Sequence, residues 1–406
     1  VIRGTGRWAP HELAVIAMGF LLPLGGDQTV PPWLAYDSVK FLTIAAAAVL
    51  LVYNQLGQRP SFALDHRLRR SLVPLIAYGL VLGVASLAWS LPGNRMALYV
   101  AHIVATVGAF ILAERGRPGA WLDIVYRISV LQLAYHAVVG QRAGLFGEVE
   151  RLSGGLSAVS LGFVAAMVLG YSIHRFERGK RALSLLVAGL ALYMLYATFS
   201  RAALVSAGLG ILLVIALRGR SRFVRMLVVV GGGVLAYQAA GDALLNALSG
   251  AERAGVDTLT GRVPIWQTII DVNEHWWRGY GYAALRFDDG AGPDSGLYVA
   301  TGKLPAESGL LNALVMGGVV AAGLWLWFIL CVFRDLWRAR REAPVAAYFL
   351  VVLAVNAVLS NGTSGSPPVF WWVLGALSLL ASLGNRADSG HVSAEPPAVV
   401  QRRASW

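Results

Sequence analysis

The chain has 406 residues, 57% of them hydrophobic and 14% charged, with a mean hydropathy of +0.61. That balance excludes an ordinary soluble domain and indicates a polytopic membrane protein. The net charge of +12 would suggest nucleic acid in a soluble protein, but the basic residues are distributed as a topology signal and require no acidic partner.

Apolar runs of about 20 residues, enough to cross a bilayer, lie near 12–30, 38–56, 71–90, 95–113, 121–140, 154–173, 182–199, 201–217, 222–240, 307–333, 344–360 and 367–384. With the N-terminus cytoplasmic, 23 of the 34 Lys and Arg residues fall in cytoplasmic segments, for example Arg67, Arg69 and Arg70, or Arg334, Arg338, Arg340 and Arg341. This obeys the positive-inside rule. The predicted fold is all-α and membrane-embedded with about 12 transmembrane helices. It divides into helices 1–9 over 1–240, a periplasmic loop over 241–306, helices 10–12 over 307–384, and a disordered cytoplasmic tail over 385–406. No cleavable signal is read before the first span, and Val1 suits a fragment or an alternative bacterial start codon. Cys331, the single cysteine, precludes an intramolecular disulfide and a Cys-based metal site. The histidines show no ligand-like spacing with carboxylates, so neither a metal nor a cofactor is expected.

The helices divide nine and three about the long loop, unlike the paired halves of a repeat-built transporter. Loops of this length are functional or disordered, and its Trp, Tyr and Ile content argues against plain disorder. Within LTGRVPIWQTIIDV, Asp257, Thr258 or Thr260 caps a helix beginning near Pro264. Its apolar stripe is read as Trp266, Ile269 and Ile270, with Asn273 at its end. Trp276 and Trp277 suit an interfacial anchor for a helix lying on the membrane.

Candidate chemistry gathers on the outer face. In YATFSRAALVSAGLG, Ser200 and Arg201 sit at the junction of spans seven and eight. An Arg beside hydrocarbon needs water or a partner. It either snorkels to headgroup phosphates or offers a planar donor fork to a phosphate ester. Arg262 stands at the start of the loop helix, where an anion also meets the helix dipole. Glu307 opens span ten and suits either an N-terminal cap or a catalytic carboxylate. Gly279 and Gly281 around Tyr280 allow a tight turn and make Tyr280 a candidate substrate contact. No predicted strand precedes this run and it lacks a third glycine, so it is no dinucleotide fingerprint. Gln132 and His136, in the outer half of span five, are candidates to line a cavity. Asp123 and Arg127, spaced i, i+4, are read as an inner-leaflet pair.

Twelve spans, the loop between spans nine and ten, FSRAAL, GRVPIW, GYGY and a Leu- and Gly-rich opening to span ten together resemble the O-antigen ligase and polymerase superfamily. The motif resemblance covers about residues 155–330. It implies a metal-independent inverting glycosyltransferase of the bacterial inner membrane, with both termini cytoplasmic and the active site periplasmic. The implied donor is an undecaprenyl-pyrophosphate-linked oligosaccharide, and the acceptor a saccharide or lipid A-core. Membrane lipids and a polysaccharide assembly complex are the further implied partners, and nucleic acid is not. The resemblance makes Arg201 and Arg262 pyrophosphate clamps. Ligases of this family typically show His-Asn at the start of span ten, where this chain has Glu307-Ser308. That departure leans toward a polymerase, with Glu307 as base. A transporter or flippase of lipid-linked saccharides, or a membrane scaffold, are the competing readings.

Overall fold

The computed structural model describes residues 66–89, 106–115, 117–143, 151–153, 158–198, 200–218, 262–281, 308–360 and 367–392. The expected spans near 12–30, 38–56 and 222–240, Glu307, the end of the tail and most of the long loop lie outside them. The described elements are α1 His66–Trp89, α2 Ala120–Val139, β1 Gln141–Ala143, β2 Arg151–Ser153, α3 Ala158–Glu177, α4 Arg181–Ala197, α5 Arg201–Arg218, α6 Arg262–Val272, α7 Gly309–Ala339, α8 Pro344–Leu359 and α9 Pro367–Val392. Residues 106–115 are also helical. Three of these helices are long and apolar enough to cross a membrane, α2, most of α3 and α7, and the others include shorter apolar stretches.

The described elements are helical but for β1 and β2, a short antiparallel pair with Arg142 opposite Leu152. One expectation is corrected. The polar end expected as a disordered tail from 385 begins as helix, because α9 runs on to Val392.

Helix α3 is the hub. It packs on α2, α4, α5, α8 and α9, and every residue from Leu161 to Ser172 is buried. A helix apolar on all sides suits either a lipid surround or a protein interior, and α3 occupies the interior. Helices α5 and α8 run antiparallel: Ser200 and Ala203 share a cavity with Val355 and Ser360, while Ile211 and Arg218 meet Val345 and Tyr348. A tight turn at Arg340–Ala343 joins α7 to α8. The starts of α5 and α7 and the end of α8 therefore share one end of the bundle. Arg175, Lys180, Arg218, Arg338 and Arg340 gather at the other end. There the carboxylate of Asp123 pairs with Arg117 at 3.1 Å and Arg175 at 3.6 Å, and accepts a hydrogen bond from the Tyr171 hydroxyl at 3.2 Å. These contacts tie α2 to α3.

Glu114, just past the fourth expected span, is 4% exposed. Its carboxylate accepts from the Gly119 and Trp121 N–H groups at 3.0 and 3.1 Å, and from the Ser378 hydroxyl at 2.5 Å. It thus caps α2 and pins it to α9. Burial, the largest influence, pushes its pKa from an ordinary 4.5 up to about 7, against the opposing pull of these hydrogen bonds. Between about pH 4.5 and 7 the folded chain holds a proton that the unfolded chain has released, so stability falls as pH rises through that window. We expect the melting temperature in detergent to decline from pH 5 to pH 8, and the decline to flatten in Glu114→Gln.

Candidate active site

Ser200 precedes α5 and is buried at 4% exposure; Arg201 is the first residue of α5. The turn carrying Ser200 lies tightly on α3. A Cβ built on Gly162 would come within 2.6 Å of the Ser200 Cβ and 2.9 Å of the Thr198 hydroxyl oxygen, so only glycine lets the two segments approach. Behind Ser200 is a cavity of about 10 Å³ lined also by Ser206, Asn356 and Ser360, room for about one water. The Asn356 Oδ1 is buried without a hydrogen-bond partner. Sequence reading missed Asn356, because a single amide in an apolar span becomes informative only once α8 is packed against α5.

The loop helix α6 begins at Arg262, two residues earlier than expected. It uses the expected stripe only in part: Ile269 and Asn273 are buried. Ile269 is fully buried against Val315 of α7, with Ile265, Val272, Tyr280 and Leu311 packed around them, whereas Ile270 is 48% exposed. The helix thus docks on the first turns of α7, and Trp277 is exposed.

Helix α7 is broken. Gly317 (φ −135°, ψ 16°) and Gly318 (φ 70°, ψ −168°) leave helical geometry, and the turn after α6 fills the break. A continuous helix would join the Val315 carbonyl to the Val319 N–H. Here that carbonyl accepts from the Tyr280 N–H at 2.7 Å and the Val319 N–H donates to the Trp276 carbonyl at 2.8 Å, while the Gly281 N–H donates to the Met316 carbonyl at 2.8 Å. A Cβ on Gly318 would fall 2.0 Å from the Trp277 carbonyl oxygen, and one on Gly279 2.6 Å from Met316 backbone atoms. Gly279 also has φ +67°, in the left-handed region that side chains disfavour. The 31 residues of α7 span about 46 Å at 1.5 Å per residue. The leg after the break alone covers about 31 Å, close to a bilayer core of about 30 Å.

Tyr280 folds its own turn. Its hydroxyl accepts from the Glu274 N–H at 3.3 Å, and its ring lies 4.9 Å from that of His275. Arg278 meets the His275 Nε2 at 2.8 Å. Ser308, buried, is the N-cap residue of α7, and its carbonyl accepts from Asn312 at 2.9 Å; Glu307 precedes it directly. His136 is fully buried near the end of α2, with its Nδ1 at 2.8 Å from the Gln132 carbonyl. The described geometry therefore brings two helix starts, at Arg201 and Ser308, to one end of the bundle. The helix beginning at Arg262 rests on the first turns of α7.

Residues 186–326 match the family model described as O-antigen ligase. Over this stretch the chain is similar to the O-antigen ligase family. Comparison with curated proteins returns no match. The O-antigen ligase segment runs from α4 across α5 and α6 to the middle of α7, so it contains Ser200, Arg201, Arg262, Tyr280 and Glu307 and leaves out His136. At family level it supports glycan transfer in O-antigen biosynthesis by a bacterial membrane protein.

Proposed function

We propose that the chain is a periplasmic-face, metal-independent glycosyltransferase of the inner membrane. It moves a saccharide from an undecaprenyl-pyrophosphate donor to a saccharide acceptor, with a second lipid-linked repeat favoured over lipid A-core. The observation carrying this reading is that the O-antigen ligase match spans Arg201 and Arg262, each the first residue of its helix. Helix starts favour anions through their free N–H groups and dipole, and a guanidinium adds permanent charge with paired donors.

In this mechanism Glu307 takes the proton from an acceptor hydroxyl as its oxygen attacks the anomeric carbon. The bond from that carbon to the pyrophosphate oxygen breaks, and its electrons leave with the lipid pyrophosphate. Arg201 and Arg262 stabilise the charge that develops there, which fixed donors do without reorganisation. Ser200 and Tyr280 border the donor, and His136 supports the outer half of α2.

Purified Arg201→Lys and Arg262→Lys proteins, given lipid-linked donor and acceptor, should each lose roughly 10²-fold in kcat, the scale for removing one oriented donor to a developing anion. Full transfer by both variants would sink the phosphate-clamp reading. Movement of donor across vesicles with no new glycosidic bond would favour a flippase. In a deletion strain, accumulation of single lipid-linked repeats marks a polymerase, and accumulation of long lipid-linked chains marks a ligase.

A further inference from the structure

A membrane helix that breaks leaves backbone groups that lipid cannot satisfy, so the break persists only where other protein groups bond them. In α7 the loop supplies those groups from both sides. It takes the two partners of one helical hydrogen bond, Val315 and Val319, and gives each a new partner in the Trp276–Gly281 turn. Val315 is also the residue on which Ile269 of α6 is buried. The loop thus grips one residue twice, once through its backbone and once through its side chain.

We infer that Gly279, Gly281, Gly317 and Gly318 form a backbone latch holding the helix that starts at Arg262 on the first leg of α7, and that they are positioning residues for transfer. This rests on the role proposed above for Arg262. Were the loop to swing away as a lid, the Val315 and Met316 carbonyls and the Val319 N–H would lose their partners together. Because Val315 and Met316 lie before the break and Val319 after it, the latch ties α6 to both legs of α7. Gly317, within the break, lies against Leu82 and Val81 of α1.

The test is a double-mutant cycle on the full chain in nanodiscs. Gly318→Ala forces a Cβ onto the Trp277 carbonyl and should lower kcat on the order of a hundredfold, as a displacement of about 1 Å does, with little change in donor KM. Gly323→Ala, where a Cβ meets open space, should leave transfer unchanged. Adding Arg262→Lys to Gly318→Ala should cause no further loss, because the two changes remove one positioned group. Multiplying losses would overturn the latch as a positioning device.

Hydrogen exchange on the wild type decides the matter independently if Gly318→Ala does not fold. The Tyr280, Gly281 and Val319 amides should exchange slowly, and Gly281→Ala, which strains φ +97°, should speed them. Exchange as fast as in an open loop would overturn the latch. Full activity of Arg262→Lys alone would remove the clamp reading, whereas an impaired Arg262→Lys whose loss multiplies with that of Gly318→Ala would remove only the latch.

Discussion

Glu307→Gln should lower the turnover of glycan transfer by roughly 10² to 10⁴, the contribution of a positioned general base, while leaving donor KM nearly unchanged. Gln keeps the size of the side chain and removes the ability to hold a proton from the acceptor. The competing role for Glu307 is a charge at the start of α7, which begins at Gly309 with Ser308 as N-cap. There a carboxylate interacting with the helix dipole contributes about 0.3–1 kcal/mol to stability, a small effect on melting temperature and none on chemistry. Glu307→His separates the two. Histidine can act as a base near neutral pH but, when charged, is disfavoured at a helix N-terminus. A base role predicts that His restores part of the activity lost in Gln. A capping role predicts that Gln and His both transfer within a fewfold of wild type, with His the less stable. Steady-state kinetics and a melting curve on the three proteins decide between them.

The described apolar helices were legible because about 20 apolar residues bounded by arginines have few alternatives to a helix. The spans read at 344–360 and 201–217 emerge as Pro344–Leu359 and Arg201–Arg218. The loop was legible only in part. Helical spacing allows two overlapping stripes, Trp266–Ile269–Ile270 or Ile265–Ile269–Val272, and both contain Ile269. The surface offered by Val315 and Leu311 chooses the second, and no pattern within the loop carries that information. The same holds for the break in α7. Gly317-Gly318 inside an apolar span reads as close helix packing, and Gly279-Tyr280-Gly281 reads as an isolated turn. Their meaning lies in each supplying the other's hydrogen bonds. Among the candidate residues, Arg201 and Arg262 were singled out by charge in an apolar setting, a local signal. Asn356 was not, because its buried Oδ1 acquires significance from the cavity it shares with Ser200.

Gly170→Ala should be among the most destabilising single-methyl changes in the bundle. The Tyr348 ring of α8 is held between two glycines: a Cβ on Gly170 of α3 would lie 2.2 Å from its Cδ1 and Cε1, and one on Gly210 of α5 2.7 Å from its Cδ2. Its hydroxyl donates to the Ala166 carbonyl at 2.6 Å, so one buried residue ties three helices together. Between membrane helices, association depends on close packing and interhelical hydrogen bonds, since lipid is as apolar as the side chains. The added methyl cannot be absorbed in place, because Gly210 closes the opposite face. The ring's escape is toward an adjoining cavity of about 250 Å³ bordered by His174 and Arg218, and taking it breaks the bond to Ala166. Overpacking of this kind costs about 1–3 kcal/mol, and a lost buried hydrogen bond about 1–3 kcal/mol where its partner stays unsatisfied. Tyr348→Ala removes the clash but opens a cavity and should cost about 3–5 kcal/mol. The decisive measurement is the double variant in a detergent melt. In a Tyr348→Ala background, Gly170→Ala should cost almost nothing, because the ring it collides with is gone. An equal cost in both backgrounds would mean that the glycine serves α3 itself and not the three-helix joint.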